Sequence, residues 1–147
     1  MKKLITILVV LLVITYLMAT IVPVEPDEQR PGLGLAGAMA ESPFISFEGQ
    51  KQIYVETRTW YGIPHSVTTI SWVQDGVLYV PCAWCEGKRW PRNVASNPNV
   101  RLKIDGALYE RRAVKIEDAA ERERLLAALD RSRLSEDLQV FRMELAP

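Results

Sequence analysis

From Phe44 onward the chain is divided into short runs of β-branched and aromatic residues by turns that few residue types can make. Asp75-Gly76 and Asp105-Gly106 each stand between two such runs, and Asp-Gly supplies the positive backbone angles of a two-residue hairpin turn. Ile53–Trp60 reads as a strand, Tyr61-Gly62-Ile63-Pro64 as a turn, and Ser66–Val73 as the returning strand. Val77–Val80, Asn99–Ile104 and Ala107–Ile116 continue the series, with Val100, Leu102 and Ile104 alternating with Arg101 and Lys103 as a half-buried strand requires. Leu138–Leu145 alternates again, with Phe141, Met143 and Leu145 on one face. Consecutive antiparallel strands with so few helices predict a small closed sheet, because closure removes exposed edges.

Two segments depart from this pattern. After Leu78-Tyr79-Val80, Pro81 is predicted to end the strand by removing a backbone donor. Glu86-Gly87-Lys88-Arg89 is then a basic turn, Pro91 suits the first turn of a helix, and Asn97-Pro98 suits its end. A basic turn running into a helix start favours an anion, since backbone N–H groups and the helix dipole both point there. Glu117–Arg131 has helical spacing, with Leu125, Leu126 and Leu129 on one side, acids early and Arg131 and Arg133 at its end.

Ahead of this domain, Leu4–Val22 carries no charge; at about 1.5 Å per residue it spans roughly 28 Å, close to a bilayer core. Lys2 and Lys3 precede it and Glu25, Asp27 and Glu28 follow it, which places the N-terminus in the cytoplasm and the domain on the extracytoplasmic, periplasmic side of a single-pass protein. A cleaved signal peptide is the competing reading, but its apolar core is normally about 7 to 15 residues, so an uncleaved anchor is favoured. The expected organisation is an anchor over residues 1–24, a Pro/Gly-rich tether over 25–43 and a β-domain over 44–147. The tether's apolar residues could lie on the membrane or against the domain.

The 147-residue chain balances 18 basic against 18 acidic residues, so its overall charge gives no reason to expect a nucleic-acid partner. Locally, eight basic residues between Lys88 and Lys115 face two acids, Asp105 and Glu110. Arg101, Lys103, Arg111 and Arg112 are expected on solvated strand faces, and Lys88 and Arg89, in the turn itself, at a ligand.

Cys82 and Cys85 form a C-A-W-C pair, which can be a redox dithiol, half a zinc site or a structural disulfide. Zinc needs four ligands and His65 is the only other soft candidate, so no metal is expected. An extracytoplasmic domain favours the disulfide, with a redox-active pair as the minority reading. His65, the single histidine, reads as a strand-edge residue that could also donate a proton to a bound ring. Trp60, Tyr61, Trp72, Trp84 and Trp90 cluster around the basic turn in sequence. Trp72 is expected in the core, and Trp84 and Trp90 at a ligand.

The order of strand, G-K-R-W turn, short helix, N-P-N-V and basic strand resembles the flavin-binding split β-barrels, which include pyridoxamine-phosphate-oxidase-like and deazaflavin-dependent nitroreductase-like proteins. The Gly-Ile-Pro turn within Thr57–Trp72, the Asp105-Gly106 hairpin and Val140–Glu144 as closing strand agree with it. The resemblance, over roughly residues 45 to 147, implies a mainly β, split β-barrel of six or seven antiparallel strands with one or two helices after the transmembrane helix. It implies FMN or a deazaflavin, with its phosphate on Lys88 and Arg89. The ring would lie against Ser66–Ile70 and Tyr79–Cys82, which makes Ser66, Thr68, Val80, Cys82, Trp84 and Trp90 candidate contacts. The implied activity is hydride transfer to a small acceptor, in a protein that can be a homodimer. The alternative is a barrel that has lost the cofactor and serves as a binding or assembly module of the cell envelope.

Overall fold

The computed structural model describes residues 2–127 and 137–146. Helix α1 (Lys2–Ile21) is followed by β1 (Ala38–Met39), β2 (Gln50–Arg58), β3 (Pro64–Gln74) and β4 (Val77–Cys82). A single 3-10 turn (Cys85–Gly87) leads into α2 (Arg89–Ser96), then β5 (Asn99–Ile104), β6 (Ala107–Lys115), α3 (Ala119–Leu126) and β7 (Gln139–Leu145).

The strands lie in the order β1-β6-β5-β2-β3-β4-β7, and pairing of β6 with β7 closes β2–β7 into a six-stranded antiparallel barrel. Both Asp-Gly turns have the geometry their residues predict: Asp75 and Gly76 have φ of 53° and 75°, Asp105 and Gly106 of 51° and 85°. Alternation along the strands turns Ile53, Val55, Val80, Leu102, Phe141 and Met143 into one core, and apolar burial of this kind is the main stabilising term. The predicted C-terminal helix is α3, capped by Asp118, whose carboxylate accepts from the Glu121 amide at 2.6 Å. Leu125 is buried beneath it, and Leu129 and Arg131 lie outside the described residues.

The barrel is open along one seam. β2 and β3 pair over their full length, from Gln50↔Trp72 to Arg58↔Pro64, but β3 and β4 pair only at Trp72↔Tyr79, Val73↔Leu78 and Gln74↔Val77. Beyond that point the two strands diverge. Pro81 does not end its strand as expected: β4 continues to Cys82, pairing Pro81 with Val140 of β7. With β3 no longer paired to β4 there, a residue lacking an N–H is tolerated as on an edge strand. α2 packs against β2 and β3, burying Trp90 and Val94. The Trp90 ring lies 4.8 Å from that of Phe141, and the Asn93 amide donates to the Thr57 hydroxyl at 3.0 Å.

α1 is long and apolar enough to cross a membrane, with a mean hydropathy of 2.8 and no buried residue. The segment after it lies against the barrel as a strap. Gly32 exchanges two backbone hydrogen bonds with Ser66 of β3, at 2.9 and 3.1 Å. Glu25 pairs with Lys103 at 2.5 Å and accepts from the Ala36 amide. Further along, the Leu35 amide donates to the carboxylate of Glu56 at 2.8 Å, Leu35 is buried, and β1 runs parallel to β6.

This packing changes the roles of the strand cations. Arg101 forks onto Glu56, at 2.7 and 3.1 Å to one carboxylate oxygen and 2.5 Å to the other. Glu56 is 2% exposed and also holds Leu35, so the pair ties the strap to β2 and β5. Arg111, expected in solvent, is 6% exposed and donates to the Pro43 carbonyl. Burial pushes its pKa down. The sequence shows alternation along a strand but not a strap crossing its polar face.

Candidate functional site

Where β3 leaves β4, a cavity of about 420 Å³ opens between the β3 edge, the start of α2 and the strap. Its walls bring together residues distant in sequence: Asp27–Pro31, His65, Val67–Thr69 and Lys88–Trp90. The volume lies in the range of small-ligand sites, about 300–1,000 Å³.

The basic end follows directly from the local sequence. Trp84 adopts a left-handed conformation (φ 50°) at the entry to the 3-10 turn, and the Lys88 amide closes that turn onto the Cys85 carbonyl at 3.0 Å. Lys88 is then extended and Arg89 begins α2, with no side chain capping the first amides of the helix. Lys88 and Arg89 are exposed and make no ion pair among the described residues. Two unpaired cations at a helix start favour an anion.

His65 lines the same cavity, half-buried. Burial first, and then the neighbouring Arg89 guanidinium, hold its imidazole below the ordinary value of 6.5. It is therefore neutral near pH 7, and each ring nitrogen keeps its own role as donor or acceptor.

Of the residues singled out from the sequence, Thr68, Lys88, Arg89 and Trp90 meet in this cavity. Thr68 donates its hydroxyl to the Asp27 carbonyl at 2.9 Å. Trp90 is almost wholly buried against Phe141, so it closes the floor without offering a ring face. Ser66 lies behind the strap at 0% exposure and its hydroxyl has no hydrogen-bond partner among the described residues. A methyl group on Gly32 would lie 2.6 Å from that oxygen, so only glycine lets the strap approach so closely. Val80 and Cys82 point into the barrel core, and Trp84 is exposed outside the cavity lining. The sulfurs of Cys82 and Cys85 lie at bonding distance, with their Cα atoms 5.6 Å apart, where they brace the approach to the basic turn. Trp60 and Tyr61 lie away from the cavity, at the tip of the β2–β3 hairpin.

The strap's contribution was not readable in the sequence. Asp27 turns its carboxylate back onto the amides of Gln29 and Arg30, at 2.7 and 2.6 Å, and this turn forms the cavity's outer wall. An aspartate two and three residues before amides it can cap is a turn signal, but nothing in it names the distant partner.

No family model and no curated protein matches the sequence. Among solved structures, the fold is similar to the general stress protein 26 of Bacillus anthracis, at 19% identity and a TM-score of 0.51, over 65% of this chain and 80% of that one. It is also similar to a NimC/NimA family protein of Clostridium acetobutylicum, at 16% identity and a TM-score of 0.52, over 63% and 72% of the two chains. A candidate pyridoxamine 5′-phosphate oxidase of Listeria innocua matches at 18% identity and a TM-score of 0.50, over 63% and 81%. At such identities the likeness is one of fold.

Proposed function

From the split β-barrel fold of the pyridoxamine-phosphate-oxidase-like proteins, which this chain has, we propose a membrane-anchored flavin- or deazaflavin-binding oxidoreductase. The observation that carries the reading is the meeting of Lys88, Arg89 and the uncapped start of α2 at one end of a ligand-sized cavity. That end fits the phosphate of FMN or of a deazaflavin. Lys88 offers a point charge and Arg89 a planar fork that matches phosphate oxygens. The other end is more restricted than the sequence suggests, because the β3 edge at Ser66 is already paired with Gly32. A ring would therefore meet Val67, Thr68 and Thr69 of β3 and the strap at Asp27–Pro31.

A bound flavin or deazaflavin would supply hydride transfer to a small acceptor, and the protein's part is to hold and orient it. Neutral His65 could donate to a bound ring or accept from it. α1 would hold the barrel on the extracytoplasmic side, with a Cys82–Cys85 disulfide bracing the turn.

A second reading has its own observation. The strap occupies the β3 edge that a ring would share and hides the Ser66 hydroxyl, as expected of a barrel that keeps the fold and serves as an envelope binding module. An absorbance spectrum of the detergent-purified full-length protein, repeated after adding FMN and then a deazaflavin, separates the two. A bound chromophore, or saturable uptake of either compound, supports the oxidoreductase. No uptake of either leaves the binding module.

A further inference from the structure

The β2–β3 hairpin tip carries two aromatic residues that neither the core nor the cavity uses. Trp60 is 88% exposed and Tyr61 is 43% exposed, with their rings 5.1 Å apart edge to face. A single exposed apolar side chain needs no explanation, but two adjoining rings at one tip form a contiguous apolar surface of the kind that marks a contact site.

The position of the tip relative to α1 indicates what it contacts. The Tyr16 hydroxyl of α1 donates to the Tyr61 carbonyl at 2.7 Å, and it lies 3.2 Å from where a side chain on Gly62 would begin. Tyr16 precedes the end of α1 by five residues, so the tip is held about 8 Å below that end, measured along the helix. The tip also meets part of its hydrogen-bonding need within itself. Gly62 donates to the Thr59 carbonyl at 2.9 Å, the Thr59 amide and hydroxyl both donate to the Ile63 carbonyl, and Arg58 donates to the Gly62 carbonyl at 3.2 Å. Backbone groups satisfied within the turn need no water, which lowers the cost of bringing the tip to the headgroup level. Tryptophan and tyrosine are the side chains that favour the level between acyl chains and headgroups, and Arg58 has the reach to extend its charge from there toward lipid phosphates.

We propose that the β2–β3 tip, through Trp60 and Tyr61, inserts into the outer interfacial layer of the bilayer that α1 spans. The barrel then rests on the membrane at two points and does not swing on its strap. The inference rests on the reading of α1 as a membrane anchor, and the experiment separates the two claims.

Full-length protein is reconstituted into phosphatidylcholine vesicles, plain or with acyl chains brominated near the headgroups, and tryptophan emission is compared after flotation. The expected result is flotation with the vesicles and bromine-dependent quenching that Trp60→Phe largely abolishes and Trp84→Phe leaves in place. Flotation with equal quenching in Trp60→Phe and the parent overturns the insertion and leaves the anchor standing. That outcome covers a tip facing another protein or a second copy of the chain. Failure to float overturns both.

Discussion

His65 links the charge state of the cavity to its occupancy. Burial and Arg89 lower its pKa in the folded protein, so as pH falls the unfolded chain takes up this proton first. Its contribution to stability is complete above 6.5 and is lost as pH drops from there toward the folded value. His65→Gln should flatten that part of a pH–stability profile from chemical denaturation. An anion bound at Arg89 offsets the guanidinium charge, so inorganic phosphate, which adds charge with little further burial, should raise the imidazole pKa in an NMR titration; an unchanged value at saturation would place the anion elsewhere. At Cys82 and Cys85 the closed loop is short, so a disulfide there adds only about 2 kcal/mol by loop-entropy reasoning. Cys82→Ser/Cys85→Ser should lose about that much in a denaturant titration and loosen the turn that carries Lys88.

Among the elements, the strap departs most from its sequence signature. Glu56 holds it through one carboxylate shared between Arg101 and the Leu35 amide. Glu56→Ala would orphan both, with a predicted loss of about 3 kcal/mol in thermal or chemical unfolding, at the lower end for a broken buried pair because Arg101 is partly exposed. Gly32→Ala would act locally: the new methyl meets the Val24 carbonyl oxygen most closely, then Pro26 N and Ser66 Oγ, so the strap's own turn must shift and the strap should lift from β3. Faster cleavage after Glu28 by a glutamate-specific protease, with the barrel intact, is the expected result; unchanged cleavage would mean that the strap yields without lifting. The strands, both Asp-Gly turns and α2 were legible because their signals are short-range: alternation, turn chemistry and a proline at a helix start. The strap was not, because a polar, aperiodic segment reveals its partners only through contacts such as Glu25–Lys103 that span the chain. Trp60 shows the same limit. Trp72, expected in the core, stacks on Tyr79 in the interior, whereas Trp60, grouped in sequence with the residues around the basic turn, lies exposed at the β2–β3 tip.

In the whole molecule, a helix able to span a membrane, a strap and a barrel form one arrangement, in which the strap both leads from α1 and forms the outer wall of the cavity. Any ligand there would touch the segment nearest the membrane, so releasing the strap should weaken ligand binding as well as stability. The proposed function depends on Lys88 and Arg89 holding a phosphate. Titrating the purified protein with FMN and with riboflavin, which lacks the phosphate, tests it most directly. FMN is expected to bind at least about tenfold more tightly than riboflavin, since charge-assisted hydrogen bonds contribute about 1.5–3 kcal/mol each. Lys88→Ala/Arg89→Ala should remove that preference. Equal affinity for the two compounds, or a preference that survives the double substitution, would contradict it.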